Sequence, residues 1–424
     1  MMMNIFAARM RQAHMRYPLM RSLAGVLAIL ASVALSAAPV RAQEEVKVGA
    51  LMDVTGPIAN FMPALLAAQQ LAVDEVNNNG GILGGKKLRL VVIDTQGNEQ
   101  GSVDGARKLV SIENVPIIVG PLLSGTVIPA AGSVTIAAGV PLIAPTATSP
   151  AITTMPKNDM LFRIVPSDTY QGKVLAKMVL EKGFKTVALS YANNDYGVGI
   201  AEVFRKEYTA AGGTIAADQI HETKKASYRA ELATLAASKP PALVLIAYAG
   251  DSGLTIVKQA LENNFFNTFI GTESIRDNTV IKQIGAENLK NFYGTAPTSP
   301  TDTTAHKKFD DAFGKAYPGM TNKLFVEQVY DATLMAALAV EKAGSTDRAK
   351  VRDGLRAIAG PDGVKIEPTE WKKAVDAIKA GQSIAFVGAA GPHVFDKNGD
   401  VTGYIGEWTV SGDEFKEIKV YPPL

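Results

Sequence analysis

What most restricts the fold of this chain is an alternation of short, β-rich apolar runs with stretches whose apolar residues recur at helical spacing. VKVGALM from Val46 is followed by a helical pattern over 61–78, LRLVVID from Leu88 by one over 102–113, and PIIVG starts at Pro116. The rhythm restarts after Pro166. A helix over 169–182 leads to KTVALSY, a helix over 198–211 to TIAADQI, and ALVLIAY to a helix ending at Asn263 and then NTFIG. Strand and helix in alternation predict parallel strands, because each helix carries the chain back across the sheet. The apolar runs are nearly unbroken, as strands covered on both faces require. Two such halves predict an α/β fold of two Rossmann-like, doubly wound lobes. The glycines of NNNGGILGG fit a helix end and a tight turn into the next strand.

From Thr303 the spacing turns helical, over 325–342, 348–358 and 369–380, and the tail returns to strands in GPHVFDKNGD and YIGEWTV, joined by hairpin-like turns. No low-complexity linker interrupts the chain, so ordered crossover strands are expected between the lobes.

Residues 1–42 have the three parts of a secretory leader: Arg9, Arg11, Arg16 and Arg21 without an acid, an apolar run over 23–38, then Val40-Arg41-Ala42. The run is about sixteen residues, short of the roughly twenty that span a bilayer, so cleavage after Ala42 is expected. The whole chain has a formal net charge of +2, and those residues hold five arginines and no acid, which leaves −3 without them. The basic character is therefore no sign of a nucleic-acid partner. With Cys 0, disulfides, thiolate metal sites, a cysteine nucleophile and a lipid anchor are excluded. An exported chain of about 380 residues without staples must rest on a large core, best divided into two lobes. A periplasmic monomer is expected.

In a doubly wound sheet the loops after the strands face the crevice where ligands bind. Three such loops are rich in hydroxyls and glycine: GPLLSGT at 120–126, APTATSP at 144–150 and YANNDYGVG at 191–199. Ser124 and Thr148 either offer hydroxyls, with backbone N–H groups, to an anion such as a carboxylate, or cap helices. Glu273 in GTESIRD follows a strand and either meets a ligand ammonium or serves as a cap or solvated charge.

Catalytic-looking strings have plainer readings. AGDSG at 249–253 resembles a serine nucleophile loop, but between a buried strand and a helix its Asp251 and Ser252 are expected to cap that helix. After the leader only His221, His306 and His393 remain, none within helical reach of another, so no histidine metal site or Ser-His-Asp triad is indicated. Asp396, Asn398, Asp400 and Glu407 stand at calcium-loop offsets, but Val401 occupies the position that needs glycine, and a hairpin turn is the expected form. There is no phosphate-binding GKS or GKT string and no GxGxxG after a strand. No cofactor is expected and no enzyme activity.

Taken in order, KVGALMDVTGP, NNNGGILGGKKLRLVVIDTQGN, GPLLSGTVIPAA, PLIAPTATSP, YANNDYGVG and VFDKNGDVTG resemble the periplasmic leucine-isoleucine-valine-binding proteins, the branched-chain amino acid family of ABC-transporter receptors. The resemblance implies a type I periplasmic binding fold, two lobes joined by three crossovers with the ligand between them. One lobe would hold 43–163 and 295–386, the other 164–294 and 387–424. It further implies a carboxylate grip at Leu122, Leu123 and Ser124, a second hydroxyl loop at Thr146 and Thr148, an aromatic at Tyr196, and Glu273 opposite the ammonium. In the side-chain pocket the family's first-loop aromatic falls on Phe61, while another expected after ALVLI falls on Ala249, with Tyr248 one place earlier. Phe325 opens FVEQVYDA and is counted among the ligand-binding residues; Glu327 and Gln328 of that string are polar where some relatives are aromatic, which admits a polar or larger ligand.

The function this implies is capture of an amino acid, closure by lobe rotation, and delivery to an inner-membrane ABC permease. Rival readings are the same fold binding an aromatic acid or amide, a ligand-sensing receptor domain, and an exported hydrolase built on Ser252.

Overall fold

The computed structural model describes residues 44–423; the expected leader at 1–42 and its cleavage before Gln43 lie outside them. Five strands form an all-parallel sheet in the order β2-β1-β3-β4-β5: β1 (Glu45–Met52), β2 (Lys87–Asp94), β3 (Ile118–Val119), β4 (Leu142–Ala144) and β5 (Leu161–Arg163). The second sheet repeats that order with β6 (Thr186–Ala192), β7 (Thr214–His221), β8 (Leu243–Ile246), β9 (Phe269–Gly271) and β10 (Phe292–Thr298), parallel and ordered β7-β6-β8-β9-β10. A small sheet of β11 (Val364–Ile366), β12 (Ile384–Gly388) and β13 (Gly391–Pro392) comes between in sequence, and then β14 (Tyr404–Ser411) and β15 (Glu414–Tyr421) extend the second sheet antiparallel beyond β10. The expected doubly wound class with two similar halves is the fold observed.

In each half the strand order reverses between its first and third strands, β1/β3 and β6/β8. The crevice outside the carboxyl ends of the strands there is where doubly wound sheets receive ligands.

Helices cover both faces, and their starts are fixed by side chains in the strand-to-helix loops. Asn98 accepts from Gly101 N–H, Ser167 from Thr169 N–H and Asn194 from Gly197 N–H, each satisfying one of the donors a helix start leaves open. The helix Val326–Ala343 is apolar almost all round and almost wholly buried, so it lies at the centre of the first core, among β1 and the helix Met62–Asn78. Truncating Met335 or Leu338, both 0 % exposed, would cost about 2–5 kcal/mol each.

The tail differs from the expectation in two places. GPHVFDKNGD is a strand only at Gly391–Pro392, and beyond it Asp396 Oδ1 accepts from the N–H groups of Asn398 (2.7 Å) and Asp400 (2.9 Å), folding the segment into a side-chain-capped turn and not a hairpin. The hairpin of the tail is β14 with β15, an edge strand that buries Phe415 and Tyr421 and exposes Glu414, Lys416, Ile418 and Val420.

Candidate functional site

The site is built on loops that follow the carboxyl ends of β1, β3, β4, β6, β8 and β9. Asp53, just after β1, is wholly buried. Its Oδ2 accepts from the N–H groups of Leu122 at 2.7 Å and Leu123 at 3.2 Å, and its Oδ1 accepts from Thr95 Oγ1. Burial pushes the Asp53 carboxyl up, and these hydrogen bonds pull it back. Gly120 opens this loop at φ +87°, where an added Cβ would stand 2.0 Å from Leu51 O, so no other residue fits. Asp53 thus pins the loop that presents Ser124.

These loops enclose a cavity of about 470 Å³, counting its open mouth. Phe61, Leu122 and Ser124 line it from one side, with Thr146 and Thr148; Tyr196, Tyr248 and Glu273 line it from the second sheet's loops, and Phe325 closes an end. Of the residues singled out in the sequence, Leu123 and Ala249 are not in this lining. Leu123 packs with Tyr196 and Leu175 while its N–H serves Asp53, and Ala249 is buried in a core with Leu245 and Ile275. Ile58, Leu65, Ser274 and Leu324 line the cavity without having been singled out. They are ordinary apolar and small residues, and only the meeting of distant loops reveals them.

The two hydroxyls on the first side are polarised oppositely. Ser124 Oγ accepts from Ser149 N–H at 3.2 Å, which leaves its own hydrogen to give. Thr148 Oγ1 donates to Asp168 Oδ2 at 2.8 Å, which leaves its lone pairs to receive. Neither caps a helix. Glu273 is 5 % exposed, and its Oε2 accepts from Gln171 Nε2 at 2.5 Å. Burial raises the Glu273 carboxyl. Asp168 is held well above its ordinary value by burial and then by the charge of Glu273. Tyr196 OH donates to Thr272 Oγ1 at 2.7 Å and its ring lies 5.3 Å from that of Tyr248. Burial raises both phenols, so they stay neutral.

Among the described residues no Lys or Arg lines the cavity. Buried Glu273 in that lining, with no facing cation there, leaves an excess of acceptor character, complementary to a ligand that brings its own positive charge. Asp168 and Gln171, second-row partners of Thr148 and Glu273, gave no sign in the sequence beyond opening a helix. Across the mouth, the loops of the two halves touch: Asn60 Nδ2 donates to Asp277 Oδ2 at 3.0 Å, and Ser149 Oγ to Asp195 O at 2.9 Å.

AGDSG takes a form that the sequence did not indicate. Ser252 Oγ is 3.0 Å from His221 Nε2, and His221 Nδ1 is 2.8 Å from Ser190 Oγ. Asp251 Oδ1 accepts from Lys224 N–H at 2.7 Å, so neither Asp251 nor Ser252 caps the following helix as expected. The chain Ser252–His221–Ser190 has no carboxylate behind the histidine, Ser252 is 0 % exposed, and burial lowers His221 to about 4. It is a neutral, buried hydrogen-bonded strut. Among the described residues, no group of three or more His, Cys, Asp or Glu is placed to hold a metal ion.

Two doubly wound lobes with a cavity between the ends of their strands define the type I periplasmic binding fold. The sequence pattern of the family described as periplasmic binding protein matches residues 45–390, and the chain belongs to that family. It is 29 % identical over 317 residues to the leucine-, isoleucine-, valine-, threonine- and alanine-binding protein of Pseudomonas aeruginosa, covering 74 % of this chain and 83 % of that one. The isoleucine-bound branched-chain amino acid transporter substrate binding protein LivJ of Streptococcus pneumoniae is similar with a TM-score of 0.75 and 26 % identity, over 90 % of this chain and 100 % of that one. A benzoate-bound solute binding protein of an ABC transporter from R. palustris has a TM-score of 0.74 over 90 % of this chain and 97 % of that one, at 18 % identity, a likeness of fold.

Proposed function

We propose that this protein captures an amino acid with an apolar side chain, branched-chain ones foremost, and delivers it to an inner-membrane ABC permease without transforming it. The observation that carries this reading is the buried Glu273 on one side of a cavity whose other side holds hydroxyls of opposite polarity. Ser124 Oγ–H and the N–H groups of its loop hold the carboxylate, while Thr148 Oγ1 and Glu273 receive the ammonium. Phe61, Leu122, Tyr196, Tyr248 and Phe325 shape the space for the side chain. The relatives named for leucine, isoleucine and valine support the ligand class.

The lobes we assign are 43–163 with 295–386, and 164–294 with 387–424. The pairing of Val387 and Gly388 within the small sheet and the packing of Ala389 in the first core favour moving the last boundary of that assignment a few residues later. Export with cleavage after Ala42, a periplasmic location and a monomeric state complete the reading.

The aromatic lining of Phe61, Tyr196 and Tyr248 favours, as a second reading, an aromatic acid. Such a ligand brings a negative charge and no positive one to a cavity lined by Glu273, with Asp168 buried behind Thr148, which disfavours it. Titration calorimetry with leucine, isoleucine, valine, alanine, threonine and benzoate separates the two. Binding of an aliphatic amino acid with benzoate silent is the expected result; benzoate binding with every amino acid silent overturns the proposal.

A further inference from the structure

Beside the cavity lies a second hollow of about 990 Å³, counting its open mouth. Leu324 and Phe325 border both, so they form the wall between them. Phe325 has φ 68°, in the left-handed region that bulky residues avoid. Strain of that kind gathers at ligand clamps, and here it sits on the residue that divides two spaces.

Three polar groups in the second hollow lack hydrogen-bond partners among the described residues: Gln328, Arg276 and His306, whose Nδ1 stands 3.9 Å from Glu327 Oε1. Gln328 is 3 % exposed, and its Oε1 has no hydrogen bond to any described residue. Arg276 lines the same hollow with no hydrogen bond or ion pair from its guanidinium among the described residues; the charges of Glu417 and Glu327 reach it only across a distance. A buried acceptor without a donor and a fork of donors without an acceptor are together complementary to an amide, whose N–H gives and whose C=O receives. The hollow is lined by charges of both signs, so a distal carboxylate would meet Glu327, Glu414 and Glu417, and a distal ammonium would meet Arg276 and Lys323. A neutral amide conflicts with neither.

We propose that the second hollow is a subsite for the far end of the ligand's side chain, and that the preferred ligand is an α-amino acid with a side chain longer than leucine's that ends in an amide. The proposal rests on the amino-acid reading above. The side chain passes Phe325, its N–H meets Gln328 Oε1 and its carbonyl meets Arg276.

The probes are Nε-acetyl-lysine, norleucine, which has an unbranched side chain without the amide, and leucine, titrated into the full exported chain and into Gln328→Leu and Arg276→Met. The wild type should bind Nε-acetyl-lysine at least about tenfold more tightly than norleucine. Each variant should lose that preference and keep its norleucine or leucine affinity within about threefold, with an unchanged melting midpoint showing that it is folded. Arg276 is only partly buried, so Arg276→Met keeps the test alive should Gln328→Leu fold poorly. Leucine or norleucine binding as tight as Nε-acetyl-lysine in the wild type overturns the subsite and leaves the amino-acid reading standing. A preference that survives in both variants also overturns it. If none of the three probes binds, the amino-acid reading falls and the subsite with it.

Discussion

Gln171 Nε2 reaches Glu273 Oε2 at 2.5 Å, from the first turn of the helix Asp168–Glu181 to the loop after β9. Glu273 is thus an acid stabilised by neutral groups alone, Gln171 first, then Tyr196 and a backbone N–H, with no ion pair among the described residues. Its charge is only partly compensated within the protein, and a ligand ammonium is the group we propose completes it.

Glu273→Ala should therefore reduce leucine affinity by about 3–5 kcal/mol, roughly two to four decades, because an ammonium enclosed without its partner is costly. Stability without ligand should hold or rise, since the change removes a buried acid whose desolvation already pushes its carboxyl up. Calorimetry and a urea melt read the two quantities. Leucine affinity within about threefold of wild type would remove Glu273 from the site.

Asp53→Asn tests the loop. The carboxylate gives one oxygen to Thr95 and the other to Leu122 and Leu123, and an amide has only one acceptor oxygen. A buried donor is left unsatisfied, at about 1–3 kcal/mol of stability. Affinity should fall as well, because Ser124 rides on that loop. Unchanged urea midpoint and unchanged affinity together would show that Asp53 does not position it.

Gly250→Ala tests closure. An added Cβ would stand 2.5 Å from Pro57 O, a backbone atom of the other half. Closing over a ligand should be hindered, with a roughly tenfold loss of affinity and a melting midpoint without ligand that stays the same. Solution scattering should show less compaction on adding leucine than the wild type shows; equal compaction and affinity would refute the contact's role.

Glu327 gives a pH dependence. Burial pushes it up to about 7, from an unfolded value near that of an ordinary glutamate. The folded state then holds a proton that the unfolded state has released, so stability is highest below about 4.3 for this group and declines as pH rises through about 7. Glu327→Gln should remove that decline and be the more stable protein at pH 8, by up to about 3 kcal/mol. Parallel pH profiles for variant and wild type would show that the carboxyl titrates normally.

Most strands and helices of both halves were legible because unbroken apolar runs and helical spacing are local signals, and caps such as Asn194 shifted the helix starts by only a few residues; β5, β10 and the helices Arg229–Ala236 and Asn278–Ile284, short or flanked by polar residues, were not named. β15 was missed since EFKEIKVY mixes charged with apolar residues on its exposed face, unlike the buried runs that precede it. Ser124, Thr148 and Glu273 were legible as polar residues just after strands. Asp53, Asp168 and Gln171 were not, because each acts through a partner 20 to 102 positions away that only folding brings near. The opposite polarity of the two hydroxyls belongs to the same class, since Ser149 N–H and Asp168 decide it.

Arg163, at the end of β5, is 0 % exposed. Its Nη1 donates to the carbonyls of Thr148 and Ser149, both at 2.9 Å, and its Nη2 to Thr153 Oγ1 at 2.7 Å and Asp400 Oδ2 at 2.9 Å, while its backbone N–H meets Gly399 O. One planar, rigid group thus clamps the loop that carries Thr148 to the strand leaving the first sheet and to the returning tail. It is placed as an axle bearing: on the lobes and closure proposed above, the chain segments about which they would turn share a fixed pivot with the loop that faces the cavity. On that proposal the torque of closure is delivered to the grip itself, and the angle between the lobes and the fit of the head group are set by the same piece of hardware.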